Sequence, residues 1–308
     1  MIQHLYLGRM DYAEALRLQE ELVALRQQGR IANVLLLLEH PPVLTLGRNA
    51  RRSNILASDE LLSSRGVTLH EINRGGDVTY HGPGQLIGYP IFDLRSLRNP
   101  NGNRLGPVDF VRLMEEALIR LCAVYGVQAG RICGLTGVWC GVDPSACEAG
   151  DTSVPENSSG KLGPAGRERK IAAIGIHVSR GVTSHGFAFN VTADLRDFAL
   201  INPCGITDRP VTSLEKEIAR TVSGEDAQPR SIPGLEEMAR EAAREFGAVL
   251  RQPLHAIANL QELRAMANAG LARPPEPPAP EFPAEDTPLQ VPPELQRLRG
   301  AKDRPVNA

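Results

Sequence analysis

The spacing of apolar residues divides the chain into helical and strand-like segments. Apolar positions recur at helical spacing over Asp11–Gln28 and Pro107–Tyr125, each followed by a glycine suited to a helix end. Continuous apolar runs instead cover Asn33–Glu39 and Val43–Leu46, with only His40-Pro41-Pro42 between them. The pattern predicts two amphipathic helices and two buried strands that lie next to each other in a sheet.

Shorter segments continue this alternation. Further strands are predicted over Val67–Ile72, Gln85–Leu94 with an interruption at Pro90, Val127–Ile132, Gly137–Cys140, Lys170–Val178 and Gly186–Val191. A hairpin through Ser179–His185 is expected to join the last two strands. Further helices are predicted over Ser58–Ser64, after a capping box at Thr212–Glu215, and from Leu235 to Gly247. The fold class is therefore α/β.

Two stretches lose this apolar character. Gly141–Arg169 accumulates Gly, Ser, Pro, Asp and Glu, and ten of the 39 residues from Gly270 onward are proline. Segments of such composition cannot bury enough apolar surface to fold. We expect one main domain at 1–250 with a flexible insertion at 141–169, a short helical extension at 251–269, and a Pro-rich disordered tail at 270–308.

Charge and cysteine content limit the classes of partner and compartment. A formal net charge of −2 over 308 residues gives no general attraction to nucleic acid or anionic lipid. The longest apolar run, Val34–Leu38, is too short to span a bilayer. With five cysteines and no recognisable secretory signal, a disulfide framework is not expected. We expect a soluble, cytoplasmic protein.

The stretch Arg74–Pro90 contains five glycines in seventeen residues. Glycine allows positive φ and close approach of another group to the backbone, so a ligand is expected against this stretch. A phosphate is the first candidate, because glycine-rich turns present N–H groups to anions. The glycine spacing matches neither of the common nucleotide-binding loops, which weakens a nucleotide interpretation.

Two residues elsewhere are candidates for chemistry. Cys204 lies between Pro203 and Gly205, so its thiol is expected on a defined turn that suits a nucleophile; the alternative is a buried, unreactive cysteine. Lys170 begins an otherwise uncharged apolar strand, where it can lower the pKa of a nearby thiol or transfer a proton. The alternative for Lys170 is a lysine that ends a strand in solvent.

Histidines and the other cysteines are weaker candidates. His81 and His185 each adjoin a glycine, but a single histidine is more often structural than catalytic. A zinc site would need ligands from Cys122, Cys133, Cys140 and Cys147. Their spacing contains no C-x-x-C pair, so no metal is expected.

Four motifs, taken together and in order, resemble the octanoyltransferases of lipoate biosynthesis. They are Arg74-Gly75-Gly76-Asp77-Val78-Thr79-Tyr80-His81-Gly82-Pro83-Gly84-Gln85-Leu86, Lys170-Ile171-Ala172-Ala173-Ile174-Gly175, Ser184-His185-Gly186-Phe187-Ala188-Phe189-Asn190-Val191 and Asn202-Pro203-Cys204-Gly205. The resemblance spans roughly Leu35 to Glu215. It implies a catalytic domain with mixed β-sheets flanked by helices, as in biotin and lipoate protein ligases.

The resemblance also implies a reaction. An octanoyl group would pass from octanoyl-acyl carrier protein to a lysine of lipoyl domains, those of 2-oxoacid dehydrogenase E2 subunits and the glycine cleavage H protein. Cys204 would carry it as a thioester, Lys170 would assist, and no cofactor would be needed. The implied substrate-binding residues are Arg74, Gly75, Gly76, Asp77, Val78, Thr79, Tyr80, His81, Ala173, Ile174, Gly175, Gly186, Phe187 and Ala188. We expect the small residues among them to leave room for the acyl chain.

Two other functions stay open at this point. An ATP-dependent lipoate or biotin ligase would share the fold and would leave Cys204 without a role. A binding module would hold lipoyl domains without chemistry. The insertion at 141–169 either touches the carrier protein or is a solvated loop.

Overall fold

The computed structural model describes residues 1–99, 102–143, 168–202, 209–221 and 231–269. Most of the predicted insertion at 141–169 and the whole predicted tail at 270–308 lie outside these residues, as do Cys147 and Cys204. Within the described residues, no helix is both long and apolar enough to cross a membrane.

Eleven strands and six helices alternate along the described part of the chain. The strands are β1 Ile2–Arg9, β2 Asn33–Glu39, β3 Val43–Leu46, β4 Thr68–Glu71, β5 Val78–His81, β6 Gln85–Ile91, β7 Ala129–Ile132, β8 Leu135–Cys140, β9 Arg169–Ser179, β10 Val182–Asn190 and β11 Leu254–Ala256. The helices are α1 Tyr12–Gln27, α2 Asp59–Ser64, α3 Pro107–Val124, α4 Leu214–Thr221, α5 Leu235–Leu250 and α6 Leu260–Asn268.

The main sheet has eight strands in the order β11-β1-β2-β6-β10-β9-β8-β7. β1 pairs in parallel with β2 and β11, and the pairs from β2 onward are antiparallel. The sheet is therefore mixed, and helices flank it. This confirms the predicted fold class.

A second, three-stranded sheet has the order β4-β3-β5. The prediction that β2 and β3 are neighbouring strands is therefore wrong, although the bounds of both strands are as predicted. Both edges of β2 are occupied, by β1 and β6, so β3 has no free edge of β2 to pair with. Pro41 and Pro42 lack backbone N–H groups and cannot continue the ladder, and the chain leaves the main sheet there.

The main sheet is covered on both faces. Leu35 and Leu37 of β2 belong to the core cluster that includes α3 and α5, whereas Leu36 and Leu38 belong to the cluster that includes α1 and α6. Successive side chains of a strand point to opposite faces, so a strand buried on both faces has a continuous apolar run. This is why β2 shows no polar alternation.

β9 and β10 form a hairpin with a tighter turn than predicted. Its two central residues are Arg180 at φ 49° and Gly181 at φ 83°, which is the left-handed backbone of a two-residue type I′ turn. The predicted loop Ser179–His185 is wrong, because β10 begins at Val182. Val182 and Thr183 are both buried and belong to the strand.

β6 runs without a break through Pro90, contrary to the predicted interruption. Pro90 pairs with Leu35 of β2, and on the other side the regular pairing with β10 stops at Gly88. A Cβ at Gly186 of β10 would overlap the Gly88 carbonyl oxygen and lie 2.6 Å from Pro90 Cδ. Glycine at position 186 therefore lets β10 pass the proline.

Two helix boundaries differ from the predictions. α5 continues past Gly247 to Leu250 and ends at Arg251, which takes the left-handed conformation at φ 52°. The N-cap of α4 is Ser213, one residue later than predicted, because Ser213 Oγ accepts a hydrogen bond from Lys216 N at 3.3 Å.

The segment predicted as a short helical extension at 251–269 also contributes to the main sheet. Its strand β11 pairs with β1, with Ile2 opposite Leu254, and neither strand was predicted. Leu263 of α6 packs in the same core cluster as Leu5 of β1. The first and last described segments of the chain therefore meet at one edge of the sheet.

Candidate functional site

A cavity of ≈ 440 Å³ lies between the glycine stretch and the β9–β10 hairpin. Its volume is within the ~300–1,000 Å³ that small-molecule sites occupy. It is lined by Tyr12, Arg74, Gly75, Gly76, Thr79, His81, Tyr89, Val111, Gly134, Leu135, Thr136, Lys170, Ala173, Ile174, Gly175, Ile176, His185, Gly186, Phe187 and Ala188. The wall is largely apolar, with a few convergent polar groups.

Most of the residues expected to bind substrate line this cavity. Of the fourteen, only Asp77, Val78 and Tyr80 are not among the lining residues. The reason is strand alternation: Thr79 and His81 of β5 face the cavity, so Val78 and Tyr80 face the other way, into a separate apolar cluster.

Asp77 and Tyr80 instead make structural contacts. Asp77 accepts hydrogen bonds from Arg51 N at 3.2 Å and from Asn54 Nδ2. Tyr80 donates its hydroxyl hydrogen to Asp197 at 2.8 Å. Both contacts fix the segments that surround the glycine stretch.

Glycine at position 175 is needed for a close approach between two backbone segments. Gly75 N donates to Ile176 O at 3.0 Å, which ties the glycine stretch to β9. A Cβ at Gly175 would lie 2.9 Å from Gly75 O, closer than real Cβ contacts come. The expectation that these glycines leave space for an acyl chain is thus incomplete, because they first bring one wall of the cavity against β9.

Arg74 connects this wall to the second sheet through hydrogen bonds. Its guanidinium is buried and donates to Thr45 O at 2.8 Å, to Thr45 Oγ1 at 2.9 Å and to Gly75 O at 2.9 Å. The acceptors join β3 to the glycine stretch. Arg74 therefore places a fixed positive charge beside the cavity.

Buried histidines form the polar part of the cavity wall and its surroundings. Burial, assisted by the charge of Arg74, lowers the pKa of His185 to about 4. Burial, then the charges of His40 and Arg74, lowers the pKa of His81 well below its ordinary value. His40 lies next to this wall, and burial lowers its pKa to about 4. These rings are neutral near neutral pH.

Hydrogen bonds hold two of these rings in place. His40 Nδ1 lies 2.8 Å from Met10 O and its Nε2 lies 2.7 Å from the Tyr89 hydroxyl. His185 Nε2 lies 2.8 Å from Asn73 Oδ1. The histidines are therefore fixed polar groups of the wall.

Lys170 lines the cavity from the start of β9. The residue is half-buried there. Its backbone N–H and C=O both pair with one segment: Lys170 N donates to Pro210 O at 3.0 Å, and Thr212 N donates to Lys170 O at 2.9 Å. Its ammonium Nζ lies 4.6 Å from the ring centroid of Trp139 on β8.

Cys204 lies outside the described residues, but the segments on either side of it are fixed. On the N-terminal side, Asn202 N donates to Asn54 O at 2.7 Å. On the C-terminal side, Pro210 and Thr212 pair with the backbone of Lys170. The two flanks therefore connect the region beside the glycine stretch to Lys170.

The remaining cysteines do not form a metal site in the described part of the chain, where no suitable group of His, Cys, Asp and Glu occurs. Cys122 lies on the buried face of α3, and burial raises its pKa well above the ordinary value. Burial also raises the pKa of Cys140, to about 12.

Sequence reasoning missed several residues of this site. Tyr12 and Thr136 line the cavity from elements that carry no motif, and Tyr89 lines it from β6, three residues beyond the end of the first motif. Glu115 was also missed: it is fully buried on α3 and accepts a hydrogen bond from Gly137 N at 2.9 Å. A glutamate next to the apolar stripe of a helix was the available signal, since buried carboxylates need partners.

Comparison with known proteins adds an independent result. Residues 11–236 match the family model of the lipoyl protein ligase A/B catalytic domain. The chain is 56% identical over 246 residues to an octanoyltransferase of Acidobacterium capsulatum, a match that covers 80% of this chain and 88% of the relative. It is 47% identical over 276 residues to an octanoyltransferase of Koribacter versatilis, covering 90% of this chain and 95% of the relative.

Two solved structures show the same fold. Lipoate-protein ligase A bound with ATP matches with a TM-score of 0.56 at 15% identity, covering 87% of this chain and 92% of that one. A bipartite lipoate protein ligase from Thermoplasma acidophilum matches with a TM-score of 0.54 at 14% identity, covering 87% and 90%. At these identities the likeness concerns the fold alone.

Proposed function

Since the chain belongs to the lipoyl protein ligase A/B catalytic domain family and, within it, to the octanoyltransferases, we propose that it moves an octanoyl group through a thioester on Cys204. The donor is octanoyl-acyl carrier protein. The acceptor is a lysine of a lipoyl domain, in 2-oxoacid dehydrogenase E2 subunits or in the glycine cleavage H protein. The enzyme is a transferase.

The observation that carries this proposal is the position of Lys170 in the wall of an apolar cavity. Ile174, Ile176, Phe187 and Ala188 give that wall its apolar character. Burial of an alkyl chain there is worth about 0.8 kcal/mol per CH₂, so the site favours a medium-length acyl group by degrees. The ammonium of Lys170 supplies a positive charge at the same cavity.

The first half-reaction needs a thiolate. The Cys204 thiolate attacks the carbonyl carbon of the donor thioester, the bond from that carbon to the carrier sulfur breaks, and the carrier thiolate takes a proton from the Lys170 ammonium, which leaves Lys170 neutral. A nearby ammonium lowers the pKa of a thiol by favouring its charged form. Lys170 has that role here.

The second half-reaction consumes the thioester. The neutral amine of the acceptor lysine attacks the carbonyl carbon, an amide bond forms, and Cys204 leaves as a thiolate. The proton that the amine loses goes to Lys170 in its neutral form, which acts as the general base. No electrons change hands, and the two half-reactions return Cys204 and Lys170 to their starting states.

Each tetrahedral intermediate needs hydrogen-bond donors for its oxyanion. Among the described residues, neutral His81 lines the cavity and Asn202 adjoins the Cys204 segment, so both side chains are candidates. The backbone N–H groups of Cys204 and Gly205 are further candidates. Replacement of His81 or Asn202 by alanine separates these possibilities through kcat.

A mass measurement tests the proposal. Wild-type protein incubated with octanoyl-acyl carrier protein is expected to gain one octanoyl group, and Cys204→Ala is expected to gain none. Cys122→Ala is the matched control, because the buried Cys122 thiol does not ionise readily. An adduct that persists in Cys204→Ala contradicts the proposal.

Lysine variants test the assisting role in the same assay. Lys170→Met is expected to slow adduct formation strongly, whereas Lys216→Met, on the exposed face of α4, is expected to leave the rate unchanged. Equal rates for the two variants would assign Lys170 no part in thioester formation.

The fold likeness to an ATP-bound lipoate-protein ligase favours one alternative function, that of an ATP-dependent lipoate or biotin ligase. That enzyme would consume ATP and would not need a thioester donor. Transfer from octanoyl-acyl carrier protein in the absence of ATP eliminates it. The same turnover also eliminates a binding module without chemistry.

A further inference from the structure

We propose that Trp139 is a positioning residue for Lys170, whose ammonium it holds over the face of its indole ring and keeps in the charged form. The importance of this contact for the reaction rests on the function proposed above. The contact itself is a property of the folded chain and can be tested without any substrate.

An irregularity in the sheet brings the two side chains together. Between β8 and β9 the register passes from Val138 opposite Ala172 to Trp139 opposite Lys170, so that Lys170 and Ile171 both lie opposite one residue. Such a β-bulge changes the direction in which a side chain points, and bulges are frequent beside active sites. Here Ile171 enters the core while Lys170 lines the cavity.

Gly137 completes a slot for the lysine side chain. A Cβ at position 137 would lie 3.3 Å from Lys170 Cε and 3.7 Å from Nζ. The residue also has φ +127°, which side chains rarely adopt. The lysine therefore passes over a position with no side chain and ends 4.6 Å from the Trp139 ring centroid, two residues further along β8.

Both walls of this slot are fixed. Trp139 is 1% exposed, so the ring has no room to turn away. Gly137 N donates to Glu115 of α3 at 2.9 Å, and Glu115 in turn accepts from Arg112 at 2.8 Å and from Arg131 at 3.2 Å. The slot is therefore attached to the longest helix in the described part of the chain.

The physical effect of this arrangement is electrostatic. The face of an indole ring carries partial negative charge, and tryptophan is the strongest aromatic partner for a cation. The attraction exists for the ammonium and not for the neutral amine, so it favours the charged form with which the first half-reaction begins and to which Lys170 returns at the end of the second. It also restrains a flexible four-carbon side chain to one place at the cavity.

Other ionisable groups around Lys170 lie on identifiable elements. Glu115 and Arg112 lie on α3, and Arg131 lies on β7. Cys140 lies on β8, and Arg169 of β9 pairs with Glu217 of α4. Arg74 and His81 belong to the same cavity. These groups are the same in the variants below, so a difference between variants reports on the ring.

Intrinsic fluorescence gives the first test, because Trp139 is the only tryptophan in the chain. Its emission is expected to change in one step as Lys170 loses its proton with rising pH. The step is expected to disappear in Lys170→Met and to persist in Lys216→Met. The same step in Lys170→Met, or none in the wild type, would overturn the proposal.

Competitive acetylation gives the second test, since the chain has only four lysines and Lys216 serves as the internal reference. Trp139→Leu is expected to lower the pH midpoint for labelling of Lys170 by about one unit, the shift that loss of a partly buried cation–π contact produces. Trp139→Phe keeps an aromatic face and is expected to restore most of that shift.

Trp139→Phe and wild-type fluorescence keep the proposal testable if the leucine variant does not fold. Two outcomes would reduce Trp139 to a packing residue. The first is an unchanged pH midpoint for labelling of Lys170 in a folded Trp139→Leu. The second is a midpoint that is lower than in the wild type and equal in Trp139→Phe and Trp139→Leu. Neither readout involves Cys204 or a carrier protein. Failure of the thioester mechanism and failure of this inference are therefore distinguishable.

Discussion

Acid sensitivity of the buried histidines is the most quantitative consequence of this fold. The pKa of His40 and that of His185 are each lowered to about 4 by burial. In the unfolded chain both rings titrate near the ordinary value of about 6.5. As the pH falls from about 6.5 toward 4, the unfolded chain therefore takes up protons that the folded chain does not. The contribution of these histidines to the free energy of unfolding is fully present above this window and is lost as the pH falls through it.

The size of the effect follows from these values. For one ring with pKa values of about 6.5 unfolded and about 4 folded, the free energy of unfolding at pH 5 is lower than at pH 7 by about 2 kcal/mol. His40 and His185 together give about 4 kcal/mol by the same relation. That is a large part of the ~5–15 kcal/mol by which ordinary domains are stable.

Urea unfolding of wild-type protein, measured at several pH values between about 7 and 5, tests this reasoning. His40→Gln cannot titrate and is expected to lose about 2 kcal/mol of the pH dependence, whatever its stability at neutral pH. His255→Gln is the matched control, because His255 is exposed on β11 and is expected to leave the slope unchanged. If the slopes of His40→Gln and wild type are equal, burial of His40 does not cause the pH dependence.

Three further results are expected. Glu115→Gln removes the negative charge and one of the two oxygens that accept from two arginines and Gly137 in the core, and it is expected to cost about 3–5 kcal/mol in urea unfolding. Glu116→Gln, whose original side chain is 32% exposed, should cost less than about 1 kcal/mol. Gly186→Ala is expected to lower the free energy of unfolding by at least about 2 kcal/mol, because the added Cβ overlaps β6. Gly234→Ala has open space around its Cβ and should change that free energy by less than about 0.5 kcal/mol. Similar losses in the two variants would refute the close approach of β10 to β6. Ala188→Leu adds three carbons to the cavity wall. It is expected to shift the preferred donor from octanoyl toward shorter acyl groups by about 2 kcal/mol, measured as relative kcat/KM. An unchanged chain-length profile would place the acyl chain elsewhere.

The sequence predicted the buried elements well. β2, β3 and α3 were found within one residue, because their apolar patterns record burial directly. The sequence predicted the pairing of the strands less well than their bounds. Whether β3 follows β2 in the same sheet depends on which strands already occupy the edges of β2, and no local pattern contains that information.

For the site too, local motifs could be found in the sequence, whereas contacts between distant segments could not. The motifs predicted Arg74, His81 and Phe187 as substrate-binding residues, and all three line the cavity. Trp139 and Glu115 could not be assigned in this way. Their contacts with Lys170 and Gly137 depend on a bulge and on the packing of α3, which arise only when distant segments meet.

The pairing of β1 with β11 has a consequence for the order in which the chain can fold. β1 needs Leu254–Ala256 to complete its outer edge, so β1 waits for a segment that is synthesised much later. Until then β1 presents an unpaired edge, together with apolar residues such as Leu5 that α6 later covers. Contacts this distant in sequence slow folding. The nascent chain therefore passes through a late stage in which it is open to association with other unfinished copies.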